Sequence, residues 1–418
     1  MGAGVGASDD SQGKMNRRES RGAALHERDG HGDRAAAILP FNASAVAPRI
    51  WLVIGDKLGD NQQVELIAER LREDLGWRVD VRRLKFKEAY RLGKPPFRSD
   101  DDHVDWSASD AVGPPWPDIV LTIGRRPSMV ALWIKQQSQG NTHLVIVGRP
   151  RRWLNRFSLI IAAAHHHVPS LPNVLRLGLP LIRVDERVLA TARSEWAPRF
   201  ADVARPLVAL FVGGPTKPHV FDRAVAAELM RRAAETVANG GTLWVTTSPR
   251  TSPEIVDALA AALPANGRLF RWRPGSPDNP YSGLLAYADR FIVTGDSVSM
   301  QVEVARLGKP LAIYPLPVEY RLVERWRRAA ARIAYGRDQS TWRARAIRSL
   351  QGLGLVKFPR DVEEIHALLF ESGFAVRLGE PFGNPGAGVD VDLDQIVRRI
   401  EALWNPDDGA PPQVSQRR

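Results

Sequence analysis

The chain alternates short, unbroken apolar runs with stretches whose apolar residues return every three or four positions. Residues 50–54, Ile-Trp-Leu-Val-Ile, form one such run, closed by Gly55. Val64, Ile67, Ala68 and Leu71 then fall on one helical face. Apolar runs of this length, bounded by turn residues, read as strands buried on both faces. The pattern predicts strands over 50–54, 77–81, 118–123, 143–147 and 158–162, and a helix over 127–137. Residues 85–116 are charged, proline-rich and without a period, and read as an insertion over one sheet edge. A polar, helix-prone connection over 182–205 ends at Pro206, and the alternation restarts. Strands are expected over 207–212, 242–247, 268–272, 290–294 and 310–314, with a helix over 220–238. Strands alternating with helices argue for parallel sheets covered on both sides. Two α/β domains joined by one linker would leave a cleft between the carboxyl ends of their sheets, where open α/β sheets bind ligands.

Composition narrows the chemistry. The 418 residues contain no cysteine, which excludes disulfides, thiolate catalysis and cysteine-held metals. The formal charge of +11, mostly arginine, suits anionic partners without choosing among them. No apolar run is long enough to span a bilayer, and the first 48 residues lack the apolar core of a secretory signal. Those residues and 405–418 read as disordered tails, and the chain as cytoplasmic. Neither half carries G-x-G-x-x-G after its first strand, and no Walker A pattern appears.

The candidate chemistry sits at predicted strand ends. In the second half, Thr294-Gly295-Asp296-Ser297-Val298-Ser299 follows an apolar strand and opens a helix. Free N–H groups and the positive end of the helix dipole favour a phosphate there. Ser297 is equally suited to a plain N-cap. Glu303, about one and a half turns on, has the reach for a sugar hydroxyl. Gly213 and Gly214, before Pro215, Thr216 and Lys217, offer close backbone approach and a cation. Thr247, Ser248 and Arg250 add hydroxyls and a guanidinium, and Asn279 and Tyr281 an amide and an aromatic face. All four loops on one edge suit a nucleoside diphosphate. In the first half, Asp56, Lys57 and Asp60 follow the first strand, and Asp60 reads as a general base or as a helix cap. Arg125 and Arg126 place cations at another strand end. Of the run His165-His166-His167, His165 or His166 is expected to face the cleft. Consecutive histidines cannot readily present three ligands to one ion, and no metal is expected.

A basic segment, 321–348, holds nine arginines against Glu324 and Asp338. Leu322, Trp326, Ala329 and Ile333 share one helical face, and Arg321, Arg325, Arg328 and Arg332 line the next. The first reading is a helix packed on its domain by the apolar face. The second is peripheral contact with an inner-membrane surface. No RNA-module signature accompanies the charge, and nucleic acid is not expected.

Several of these motifs together resemble the mitochondrial-fission (elongated mitochondria) family and its bacterial relatives. They are G-D-K-L-G-D-N-Q-Q at 55–63, P-D-I-V-L-T-I-G-R-R at 117–126, P-N-V at 172–174, V-G-G-P at 212–215, T-T-S-P-R-T at 246–251, N-P-Y at 279–281 and T-G-D-S-V-S-M at 294–300. The resemblance covers about 49–317 and implies an α/β, GT-B-like fold of two Rossmann-like domains facing a central cleft. The domains would be 49–182, with the insertion 85–116, and 207–350, with a linker at 183–206 and a helical segment at 351–404. The implied activity is metal-independent transfer from a nucleotide sugar to an unknown acceptor, with no cofactor. Ser297, Ser299, Lys217 and Arg250 would hold the diphosphate, Glu303 the ribose, and Asp60 would take the acceptor proton beside His165. Asp56, Lys57, Arg125 and Arg126 would line the acceptor side. Two alternatives stay open: a non-catalytic adaptor that recruits a protein partner, as the plant member does, and a nucleotide-sugar epimerase.

Overall fold

The apolar runs become parallel strands because both of their faces find helices or the insertion to bury against. The computed structural model describes residues 47–91, 96–150, 152–214, 217–320, 322–335, 340–352, 355–356, 358, 360–389 and 393–405. Most of both expected tails, and the readings on Pro215, Thr216, Arg321 and Asp338, lie outside the described residues. The first sheet comprises β1 (Ile50–Ile54), β2 (Val79–Arg83), β3 (Ile119–Ile123), β4 (His143–Val147), β5 (Leu159–Ala163) and β6 (Val174–Leu177). All six are parallel, in the order β2-β1-β3-β4-β5-β6. Alternate β1 residues serve opposite faces. Ile50, Leu52 and Ile54 pack with Val64, Ile67 and Leu71 of α1 (Leu58–Leu75). Trp51 and Val53 pack with the insertion and with Met129 to Ile134 of a helix described next. Among its described residues the insertion carries one short helix, α2 (Glu88–Arg91), yet it buries its own Phe86, Phe97, His103 and Val104, in the core that includes α3 (Arg125–Gln137).

The second sheet holds β7 (Leu207–Phe211), β8 (Thr242–Thr246), β9 (Gly267–Phe270), β10 (Arg290–Thr294), β11 (Leu311–Tyr314) and β12 (Val376–Arg377). Its order is β12-β11-β10-β7-β8-β9, again all parallel. Residues 183–206, read as a linker, hold α4 (Glu186–Phe200), whose Leu189, Ala192, Trp196 and Phe200 enter the second core. One face of the sheet carries α5 (Arg223–Glu235) and α6 (Pro253–Ala261). The other carries α7 (Tyr281–Tyr287) and α8 (Val298–Arg306). Two doubly covered parallel sheets of this kind are the expected GT-B-like pair of Rossmann-like domains. The C-terminal half of the chain then divides its loyalties. After α9 (Leu322–Tyr335) and α10 (Trp342–Gly352), α11 (Val362–Glu371) adds Ile365 and Leu369 to the second core. Then α12 (Leu393–Trp404) returns to the first, burying Ile396, Val397 and Ile400 beside α1. Arg70 on α1 donates to Asp394 at 2.7 Å, fixing that return.

The packing expected of α9 is overturned. Trp326 is 80% exposed and Leu322 79%, while the packed face carries Ala331, Ala334 and Arg328. Two alanines let α10 and Phe358 approach closely, which a row of large side chains would prevent. Arg328 is no solvated arginine: it is buried, ion-paired with Asp361 at 3.1 Å, and lies 4.2 Å over the Tyr320 ring.

Candidate functional site

In an open parallel sheet the ligand crevice forms where the strand order reverses, outside the carboxyl ends of the strands. In the second sheet that point lies between β7 and β10. Their outgoing loops, Gly213-Gly214 and Gly295-Asp296-Ser297, are tied together. The Gly213 N–H donates to Thr294 Oγ1 at 2.8 Å and the Gly214 N–H to Asp296 Oδ2 at 2.9 Å. Thr294 Oγ1 donates in turn to Asp296 Oδ1, also at 2.8 Å. Arg250, from the loop after β8, completes the set with Nη2 3.2 Å from Asp296 Oδ2. The glycines are needed for this closeness. A Cβ on Gly213 would strike the Asp296 carboxylate, and one on Gly214 the Arg250 carbonyl. Asp296 is therefore spent on the protein itself, and it aims Arg250. Thr247 accepts from the Trp272 N–H at 2.9 Å, and Ser248 meets Thr251 at 3.1 Å, so these hydroxyls knit their own loop. Ser297 stands at the N-cap of α8 without a side-chain cap bond and is buried, whereas Ser299 is exposed. The Gly295 turn rests on a residue the sequence did not single out: His366 of α11 donates from Nε2 to the Gly295 carbonyl at 2.9 Å. Burial holds that imidazole neutral, with its pKa down to about 4.

Glu303 and Tyr281 come together. The tyrosine hydroxyl donates to Glu303 Oε2 at 2.5 Å, and its ring packs 4.6 Å from that of Phe211. Burial raises the Glu303 carboxyl to about 7, against the lowering effect of the tyrosine bond. Burial likewise pushes the Tyr281 hydroxyl well up. The face of Tyr281 expected to meet a base is thus committed to the core. Asn279 accepts from the Tyr281 N–H at 3.1 Å, just ahead of α7, whose N-cap is Pro280. Lys217 is exposed and lines a shallow depression with His219, Glu319 and Tyr320.

The first sheet reverses between β1 and β3. Asp56 and Lys57 are exposed there, and Lys57 rather than Asp60 occupies the N-cap of α1. Asp60 sits in the first turn, its carboxylate beside Gly124, where a Cβ would stand 3.6 Å from Oδ2. Gly124 has φ of 83°, a left-handed value that glycine adopts without strain. Arg125 is half-buried at the start of α3. Arg126 turns away from the crevice, donating to the Tyr90 carbonyl and lying 5.5 Å over the Phe86 ring.

The histidines follow β5 on a short 3-10 turn and part company. His165 and His166 stack with centroids 4.1 Å apart, while His167 stacks on Tyr335 and approaches Glu364 at 3.1 Å. His165 is 1% exposed, and neither ring nitrogen has a hydrogen-bond partner. Burial, then the neighbouring His166, Arg360, His167 and Arg149, lower its pKa to about 2. His166 falls to about 3, from burial and then from Arg360. Both rings are neutral at ordinary pH. Among the described residues no three His, Asp or Glu side chains gather as metal ligands.

Nothing in the local pattern singles out Arg360. It stands in electrostatic reach of Asp60 at the first sheet and Arg250 at the second, beside His165 and His166. Its side chain reaches solvent, but protein crowding around the guanidinium lowers its pKa, offset by Asp60. The segment that carries it is stitched to the first domain. The Asp361 N–H donates to the His165 carbonyl at 3.0 Å, and Arg149 donates to the Phe358 carbonyl at 2.7 Å.

A model of the family described as mitochondrial fission ELM1 matches residues 59–336. The chain belongs to this family. Among ELM1 relatives, the mitochondrial fission protein ELM1 of Arabidopsis thaliana is 28% identical over an alignment of 219 positions that covers 47% of this chain. The match spans 51% of the Arabidopsis protein, about half its length. An uncharacterised protein of Rickettsia prowazekii (strain Madrid E) is 22% identical over 303 residues, covering 64% of this chain and 83% of its own. Solved structures similar to this ELM1-family chain include the UDP-GlcNAc 2-epimerase of Methanocaldococcus jannaschii. It shows 13% identity and a TM-score of 0.43, over 84% of this chain and 99% of that one. MurG of Acinetobacter baumannii shows 15% identity and a TM-score of 0.39, over 85% and 99%. ADP-heptose LPS heptosyltransferase II of E. coli shows 11% and 0.39, over 86% and 100%. At such scores these likenesses are noted, and the two strand orders carry the architecture.

Proposed function

We propose that this chain binds a nucleoside diphosphate sugar between its two sheet edges and transfers the sugar to an acceptor hydroxyl without a metal ion. The observation that carries the reading is Arg360, within reach of Asp60 on one side and Arg250 on the other. The diphosphate would lie over the start of α8, where backbone N–H groups and the Ser297 and Ser299 hydroxyls are donors. Asp296 supports this indirectly, by holding Arg250 and the glycine loop in place. Glu303, held by Tyr281, would meet the ribose, and a protonated carboxyl there can donate as well as accept. In the transfer, the Asp60 carboxylate takes the acceptor's hydroxyl proton while that oxygen bonds the anomeric carbon. The bond from that carbon to the diphosphate breaks, and the leaving oxygen's charge falls to Arg250, Arg360 and the α8 dipole. His165 is neutral and 1% exposed, so it is placed neither to carry a proton nor to meet the sugar directly. Lys217, Asp56, Lys57 and Arg125 stand further out, as contacts for the rest of donor and acceptor.

A thermal-shift screen of UDP, GDP and ADP sugars, with a CMP sugar as the monophosphate control, tests the reading. One diphosphate sugar should raise the melting temperature of wild type and not of Arg250→Ala or Arg360→Ala. Asp60→Asn should keep that stabilisation and lose transfer. No shift from any of them at millimolar concentration defeats the proposal. The second reading, a non-catalytic adaptor with a protein partner, is favoured by membership of a family named for mitochondrial fission. It predicts that Asp60→Asn is silent in every assay.

A further inference from the structure

The basic helix α9 is oriented opposite to the expectation drawn from its sequence, and that orientation has chemistry of its own. At 3.6 residues per turn, Leu322, Trp326, Ala329 and Ile333 form one stripe, and Ala331 and Ala334 lie on the far side. The far side is packed; the stripe faces solvent. Val323 widens it at 61% exposure, and Trp342, opening the adjoining α10, is 69% exposed. Arg325 and Arg332, both exposed, border the stripe along one side. Arg343 and Arg345 of α10 are exposed as well. A helix with an outward apolar face, bordering cations and tryptophan is built for the boundary between lipid headgroups and acyl chains.

We propose that α9, with Trp342 of α10, is a docking surface for an anionic lipid bilayer. The charge decides between occupants. A second copy of the chain would bring the same arginines face to face, a repulsion with no acidic residue exposed on the stripe to relieve it. An anionic bilayer accepts both halves of the pattern at once. Trp326 and Leu322 enter the acyl boundary while Arg325 and Arg332 stay among the phosphates. Arg328 takes no part, because it is buried against Asp361. The surface is separate from the sheet edges and does not depend on a nucleotide binding there.

Co-sedimentation of the full chain with phosphatidylcholine vesicles, with and without phosphatidylserine, tests the proposal. Wild type should pellet with the anionic vesicles at low salt and be released at high salt, as screened charges are. Each of Arg325→Ala and Arg332→Ala should weaken partition about fivefold, the equivalent of about 1 kcal/mol per arginine near such a surface. Trp326→Ser should weaken it on the same vesicles while the melting temperature stays unchanged. Equal pelleting by wild type and Arg325→Glu/Arg332→Glu, or no pelleting by wild type, overturns the proposal. So does a dimer by light scattering that Trp326→Ser dissolves without any vesicle binding, since that gives the stripe to a second copy.

Discussion

At the scale of single residues, the Glu303 carboxyl, expected from the sequence to meet a ribose, shows how much burial changes an acid. Its pKa of about 7 in the fold lies above the usual carboxylate value of 4.5, so folding favours the protonated form. The stability this gives is fully present below the unfolded value and lost as pH rises through about 7. Glu303→Gln keeps a partner for the Tyr281 hydroxyl and removes the titration. The unfolding free energy of wild type should therefore fall relative to the variant as pH rises from about 5 to about 8, by up to about 3 kcal/mol, and its melting temperature with it. Parallel melting curves across that range would show that the carboxyl titrates normally. Residue types also misled where their partners are distant in sequence. Asp296 and Ser297 share a phosphate-like pattern, but Asp296 is consumed by Gly214, Thr294 and Arg250. Tyr281 looks like a stacking platform until Phe211 and Glu303 claim it.

At the scale of elements, α9 separates what periodicity can and cannot say. The apolar stripe and the arginine rows were legible in the sequence, but not which side faces the protein. The deciding residues are Ala331 and Ala334, which contribute little to a hydrophobic pattern and everything to close packing. Arg328 then becomes structural. Arg328→Ala should destabilise the chain by about 3 kcal/mol, because Asp361 loses its buried partner. Arg325→Ala, on the exposed side, should stay within about 0.5 kcal/mol. Equal urea midpoints for the two variants would contradict the packing. The strands that the pattern missed have a common cause too. β6 is a four-residue edge strand and β12 a two-residue one, each with a partly exposed face, so neither forms an unbroken apolar run. The same reasoning explains α4: its Trp196 and Phe200 are spaced among charged residues and read as a linker until α7 is there to receive them.

At the scale of the whole molecule, two α/β halves were legible because both sheets are buried on two faces and their strands are nearly all apolar. The meeting of their edges was not. It depends on Arg360, whose neighbours Asp60, His165 and Arg250 lie between 110 and 300 residues earlier in the chain. What no local pattern shows either is that α12, the last element, completes the first core. Ending the chain at residue 389 removes Ile396, Val397 and Ile400 from beneath the first sheet, a loss of about 6 kcal/mol by the usual worth of such side chains. Protease should then cut the first half of the shortened chain well before the second, and equal survival of both halves would deny α12 that role. The same return governs the order of birth. β1 is made before any strand of the second sheet, yet the face it shares with α1 lacks Ile396, Val397 and Ile400 until every one of those later strands has been synthesised. The later-born half can close before the earlier one, whose core stays incomplete, open to chaperone or aggregate, until α12 follows.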